Sequence, residues 1–237
     1  ITVVAVDHAG NRTERTPPIN IKDRAYPNES IVLSQRFLDQ KIADLAGATG
    51  VNDSDKLKAF QEINTRIRKE NEEKIRSAIA ESAPEPLFTE AFEQMPDSQV
   101  RSAFAERRSY MLDGQKVSES IHYGYDLASL AGAPIPASNS GRVVFADELG
   151  IYGNCVILDH GLGLHSLYGH LSNIDVKTGD TVEKGQTLGQ SGQTGLAGGD
   201  HLHFAILLRG VYVDPVEWWD PKWVREHALG LLAAARK

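Results

Sequence analysis

The spacing of apolar residues changes character twice along the chain. Ile1 to Asp7 alternates in the manner of a strand, His8-Ala9-Gly10-Asn11 reads as a turn, and a second extended run continues through Pro17-Pro18-Ile19-Asn20-Ile21. This pattern predicts a β hairpin. Ser34 then offers a helix cap, with a helix expected to about Leu45 and a stop at Gly47. After Asp53 or Ser54, Leu57, Phe60, Ile63, Ile67, Ile75 and Ile79 recur at helical spacing. The charged run from Arg66 to Arg76 within that helix reads as a solvated face. Pro84 and Pro86 end the helical pattern, and an acidic stretch follows from Glu85 to Asp97.

From about Val100 the pattern becomes short apolar runs separated by glycine turns. Gly141 to Ala146, Cys155 to Asp159, Leu164 to His170, Thr187 to Gly189 and His203 to Leu208 are strand candidates. The spacing predicts an antiparallel barrel or sandwich. The expected fold class is therefore α+β, with a C-terminal antiparallel β domain preceded by a β hairpin and a helical region. The expected divisions are residues 1–30 (hairpin), 31–99 (helices and acidic linker), 100–220 (β domain) and 221–237 (a helical tail interrupted by Gly230).

Composition narrows the choice of function. The 237 residues are 41% hydrophobic and 24% charged, as in an ordinary globular protein. A formal net charge of −7 argues against nucleic acid, whose phosphates require a concentrated basic surface. No apolar run approaches the ~20 residues of a membrane-spanning helix. The chain opens inside a strand pattern, without Met or a signal peptide, so a piece of a longer protein is expected. The lone cysteine, Cys155, lies in an apolar strand and reads as a buried thiol.

The candidate chemistry is concentrated in three histidine motifs: His122-Tyr123-Gly124-Tyr125-Asp126, Tyr168-Gly169-His170-Leu171 and His201-Leu202-His203. On an extended strand residues two apart share a face, which directs His201 and His203 into one cavity. His122 and Asp126, four apart, would share a face on a helix or a strand. A carboxylate with two histidines completes a three-ligand zinc set, with one position left for water and two histidines left for proton transfer. The glutamate general base of a His-Glu-x-x-His helix is missing. His165 lies at the opposite strand parity from His170 and should face away from it in an unbroken strand. His160 sits at a strand end, while His8 and His227 fall outside these motifs.

Taken together, these motifs resemble the M23 family of metallopeptidases, the lysostaphin or LytM type. That family carries His-x-x-x-Asp, Tyr-x-His-Leu and His-x-His in this order, separated by glycine-punctuated strands. Here the intervening runs include Gly141-Arg142-Val143, Gly179-Asp180-Thr181-Val182, Gly185-Gln186-Thr187-Leu188-Gly189 and Gly192-Gln193-Thr194-Gly195, and Asp214-Pro215 closes the pattern. The resemblance spans roughly Tyr110 to Pro215. It implies that His122, Asp126 and His203 bind Zn2+ and that His170 and His201 are catalytic. It also implies a hydrolase, a zinc metalloendopeptidase acting on peptide cross-links or bridges of bacterial peptidoglycan, placed in the cell envelope (periplasm) or secreted. Separately, Ala5 to Asn11 resembles the closing strands of bacterial immunoglobulin-like modules.

Two rivals remain at this level. Degenerate family members act as non-catalytic regulators of other cell-wall hydrolases, but they typically lack ligands that this chain keeps. The Gly-Asp-x-Val-x-x-Gly-Gln run also resembles biotinyl and lipoyl carrier domains, yet Lys184 does not match their acceptor lysine. Tyr168, Trp218 and Trp219 read as packing residues, and Gly195 to Asp200 as a loop edging the groove. The helical region is expected either to act as a spacer or to pack near the groove, with carboxylates of the acidic linker reaching the open metal position.

Overall fold

The computed structural model describes residues 2–16 and 23–235. Strands β1 (Val3–Val6) and β2 (Arg12–Arg15) form an antiparallel hairpin. The Asp7 carboxylate closes its turn by accepting from the Ala9 and Asn11 amides, both at 2.9 Å. The second extended run predicted around Pro17 to Ile21 lies outside the described residues. Strand β3 (Asn28–Val32) follows.

Helix α1 covers residues 35–49, and Ser34 Oγ accepts from the Phe37 amide at 3.1 Å as its cap. The helix runs through Gly47 and stops at Gly50, whose φ of 68° supplies the left-handed turn that ends a helix. Gly47 adopts ordinary helical geometry, so its expected stop is displaced by three residues. Helix α2 covers residues 56–78 and is capped by Asp55, which accepts from the Lys58 amide at 3.1 Å. Its apolar stripe is buried as the periodicity predicts: Phe60 and Ile63 are fully enclosed, with Ile67 and Ile75 beside them.

The remaining strands are β4 (Gln99–Ser102), β5 (Arg107–Leu112), β6 (Gln115–Ile121), β7 (Tyr125–Ala128), β8 (Pro134–Pro136), β9 (Gly141–Glu148), β10 (Asn154–Asp159), β11 (Leu164–Leu171), β12 (Asn173–Ile174), β13 (Thr181–Val182), β14 (Thr187–Gln190), β15 (Leu202–Leu208) and β16 (Val211–Val213). The main sheet runs β13-β9-β10-β11-β15-β7-β4, with β16 also paired to β15. Two three-stranded sheets, β12-β14-β8 and β3-β5-β6, flank it. The fold is α+β as expected, but the main sheet ends at edge strands β13 and β4, so no barrel closes. Helices α3 (Pro215–Trp219) and α4 (residues 221–235) complete the chain.

Alternation along the central strands sends side chains to two cores. Leu167, Ala205 and Leu207 join Phe60, Ile63 and Leu38 on the face covered by α1 and α2. Leu164, Tyr168, Phe204 and Ile206 join Phe88, Phe92 and Trp218 on the other face. The acidic linker therefore packs on the second face, where its aromatic residues, unnoticed among its acids, bury themselves. Lys184 Nζ meets Glu90 and Glu93 there, at 3.2 and 3.1 Å.

The helical half is also tied to the β half by polar contacts. Glu72 accepts from the Tyr152 hydroxyl at 2.8 Å and the Tyr212 hydroxyl at 3.0 Å, and Asn71 Oδ1 accepts from the Ile151 amide at 2.9 Å. Strand β3 adds a parallel pairing with β5, in which Ser30 faces Ser109.

Candidate metal centre

His203 and Asp126 occupy opposite positions in the β15–β7 ladder. Side chains at such positions share a face, and Asp126 Oδ1 lies 3.1 Å from His203 Nδ1. His122 sits in the short connection between β6 and β7, so it shares no element with Asp126. Its Nε2 reaches the same point, 2.9 Å from both Asp126 Oδ1 and His203 Nδ1. All three side chains are buried. Gly124 makes this approach possible: a Cβ there would meet the Phe204 carbonyl at 2.4 Å and His203 Cε1 at 2.8 Å.

Surrounding groups fix which atoms face inward. His122 Nδ1 lies 3.0 Å from the Ala103 carbonyl, which can only accept, so Nδ1 carries the proton and Nε2 presents a lone pair. Arg108 Nη2 donates to Asp126 Oδ2 at 2.7 Å, leaving Oδ1 for the cluster. Glu106 holds that arginine, accepting from Arg108 Nε at 2.9 Å and from Ser102 Oγ at 2.6 Å. Burial would raise the Asp126 carboxyl, but the adjacent His122 and the histidine hydrogen bonds hold it well below the usual carboxylate range. Burial also works against the charged Arg108, yet Asp126 and Glu106 raise its pKa overall.

The donor set fits a divalent metal. Two imidazole nitrogens and one carboxylate oxygen lie within 4.8 Å of one another, and at most one tautomeric proton is available to separate their lone pairs. Desolvation pushes the His203 imidazole down to about 4, so the ring stays neutral at physiological pH, the form that ligates a metal. Two imidazoles, a carboxylate and an open side are the protein ligands of a catalytic zinc site.

The two other motif histidines border this cluster. The His170 ring centroid is 4.8 Å from that of His201 and 5.9 Å from that of His203. His170 Nδ1 donates to the Thr194 carbonyl and His201 Nδ1 to the Gly199 carbonyl, both at 2.8 Å, so each ring keeps Nε2 as its basic nitrogen. His201 Nε2 stands 3.5 Å from Asp126 Oδ1. Burial and the neighbouring histidines hold His170 well below its ordinary value. Burial also lowers His201, but Asp126 outweighs it and the net shift is upward.

His170 reaches this position through a break in its strand. Asn154 pairs with Leu171 but Val156 pairs with Tyr168, so β11 carries one extra residue there. The bulge puts His170 at φ 68° and redirects its side chain. His165 therefore does not face the opposite way, as parity in an unbroken strand predicts. It shares the sheet face of Leu167 and His203, but lies at the far end of β11, where its Nε2 is 3.5 Å from Asp159.

The remaining candidates lie outside the centre. His160 is buried between the Ser140 carbonyl and Ser166 Oγ, both at 2.7 Å. Tyr168 accepts from the Ser138 amide in the core, Trp219 stacks on Phe204, and Cys155 is fully buried. The support from Ser102, Glu106 and Arg108 was missed in the sequence. The alternation Glu106, Arg108, Tyr110 at the start of β5, one hairpin before His122, was the available signal.

The centre opens into a cleft of about 420 Å³, walled by β3, α2 and the 196–198 loop as well as by the histidines. No residue of the acidic linker lines it, so linker carboxylates do not occupy the open side.

The structure is an open antiparallel sheet carrying a His-Asp-His cluster, with two further histidines beside it. The Peptidase family M23 model matches residues 120–215, which contain all five of these residues. The chain is 34% identical over 119 residues to the peptidoglycan DD-endopeptidase ShyB of Vibrio cholerae, covering 50% of this chain and 27% of ShyB. It is 38% identical over 96 residues to the DD-carboxypeptidase/endopeptidase Mpg of Neisseria meningitidis, covering 40% of this chain and 22% of Mpg. The chain thus spans about a quarter of the length of these curated relatives. Among solved structures, a putative M23 peptidase from Pseudomonas aeruginosa aligns at a TM-score of 0.55 with 29% identity, over 66% of this chain and 62% of that one.

Proposed function

We propose that the protein is a zinc-dependent endopeptidase that hydrolyses peptide cross-links or bridges of bacterial peptidoglycan. The observation carrying this reading is the convergence of His122 Nε2, Asp126 Oδ1 and His203 Nδ1 on one point beside His170 and His201. The endopeptidase names of the M23 relatives support the substrate class.

In this reading His122, Asp126 and His203 hold the ion. Bound zinc supplies Lewis acidity, lowering the pKa of a coordinated water towards ~7 and polarising the scissile carbonyl. His170 and His201 divide the remaining work: one Nε2 takes the proton from the attacking water, and the other ring stabilises the developing oxyanion. Their Nδ1–H bonds to the Thr194 and Gly199 carbonyls direct Nε2 of both rings to the reaction: unprotonated in the ring that acts as base, and protonated, as an imidazolium, in the ring that donates to the oxyanion. Arg108 keeps Asp126 Oδ2 engaged, so the carboxylate presents Oδ1 alone.

A wall substrate implies a cell-envelope or extracellular setting. No helix among the described residues is long and apolar enough to cross a membrane. The test is metal stoichiometry together with release of peptides from purified wall. One zinc per chain with chelator-sensitive release supports the enzyme, whereas a metal-free, inactive protein that stimulates another hydrolase supports the regulator reading.

A further inference from the structure

The cleft is walled partly by the helical half, which lies outside the residues matched to the family. The most unusual group in that wall is Arg68 of α2. Its Nη2 donates to Asn64 Oδ1 at 2.8 Å, while its Nε is buried without a partner. Asn64 is itself anchored, donating to Ser118 Oγ at 2.7 Å and to the Glu119 carbonyl at 3.1 Å. The guanidinium is therefore held in place where Arg68 lines the cleft.

Nearby acids do not account for this. Helix α2 is rich in carboxylates, but Glu62 and Glu70 pair with Arg66, and Glu73 with Lys69. Glu72 is four residues from Arg68, the spacing at which an ion pair would form. It instead accepts from the hydroxyls of Tyr152 and Tyr212. An arginine that is half-buried, oriented and left without a carboxylate costs desolvation energy in the free protein. Its planar fork suits a carboxylate arriving from outside. A second cation, Arg101 of β4, is exposed at the same cleft. Of the two acids that line the cleft, Asp126 pairs with Arg108, and Glu29 stands beside Glu106 and Arg108.

We infer that Arg68 binds a free carboxylate of the substrate peptide, so that the helical half forms part of the substrate site. The inference rests on the peptidase reading above, and it assigns specificity for an anionic peptide to a residue that supplies no chemistry to the metal centre. Wall peptides carry such carboxylates on side chains and at their ends.

The test uses the zinc-loaded chain and two probes: cross-linked peptide dimers released from purified wall, and the same dimers after amidation of their carboxylates. Their uncross-linked monomers, titrated calorimetrically, report binding without turnover. The wild-type chain should bind the free acid about tenfold or more tightly than the amide, the scale of one charge-assisted hydrogen-bonded pair. Arg68→Gln should abolish that preference, Arg68→Lys should retain part of it, and KM for the acid dimer should rise in Arg68→Gln more than kcat falls. An unchanged acid-to-amide ratio in Arg68→Gln overturns the inference. So does an equal loss for both probes, which would mark Arg68 as structural. A zinc-loaded wild type that neither binds nor cleaves either probe overturns the peptidase reading and this inference together, whereas cleavage without acid preference removes only the inference.

Discussion

Asp126 and His203 face each other across one rung of the β7–β15 ladder, with Oδ1 and Nδ1 3.1 Å apart. Backbone pairing thus positions two of the proposed ligand atoms, and His122 Nε2 is the proposed third. His203→Ala should remove most of the zinc, because two protein ligands fall short of the set used by zinc hydrolases. Metal analysis of the purified variant checks this. Wild-type zinc content in it would show that His203 is not a ligand.

Gly124 is a spacing residue for the same pair. In Gly124→Ala the new methyl would lie 2.4 Å from the Phe204 carbonyl and 2.9 Å from His203 Nε2. Since neither backbone nor ring can yield freely, a stability loss of about 1–3 kcal/mol is expected, with weaker zinc binding. Denaturant unfolding of metal-free protein measures the first effect and competition with a chelator the second. A neutral substitution would mean that the β7–β15 contact is looser than the geometry indicates.

His170→Ala and His201→Ala should keep the metal and lose turnover by roughly 10²-fold or more, the usual scale of general acid–base and electrostatic contributions. Zinc content measured beside turnover on wall peptide separates them from ligand variants. Near wild-type turnover in either variant removes that histidine from the mechanism.

The legible and illegible parts of this site have different physical origins. The proposed ligands were named from the order of the motifs and the family they resemble, and a shared face for His201 and His203 from strand period. His170 defeated the same period rule, because the bulge opposite Cys155 leaves no apolar signature. The two-core division was hidden for a related reason: Phe88 and Phe92 sit within an acidic stretch whose charges dominate its reading. The stripe of α2 was clear, but the surface it covers depends on tertiary packing. The helix stop moved from Gly47 to Gly50 because only the latter takes the left-handed conformation.

Acid should destabilise the metal-free protein well above the ordinary carboxylate range. Burial lowers His160 to about 4, and His203 to about 4, from an ordinary 6.5. The unfolded chain then takes up protons between about pH 6.5 and 4 that the folded chain excludes, so this stability is complete above 6.5 and is lost as pH falls through the window. His160, remote from the metal centre, contributes on the order of 3 kcal/mol when the window is crossed fully. Thermal midpoints of chelator-treated protein should fall steadily from pH 6.5 to 4.5, and less steeply in His160→Gln. A flat profile would contradict the buried neutral histidines.

Hydrolysis of a wall peptide bond at this centre is tested most directly by mass spectrometry of a purified cross-linked peptide dimer incubated with the zinc-loaded chain. Two monomers should form whose summed mass exceeds that of the dimer by one water, with a new amine and a new carboxyl at the cut. A chelator should stop their formation and added zinc should restore it. An intact dimer after prolonged incubation with protein holding one zinc per chain would contradict the claim.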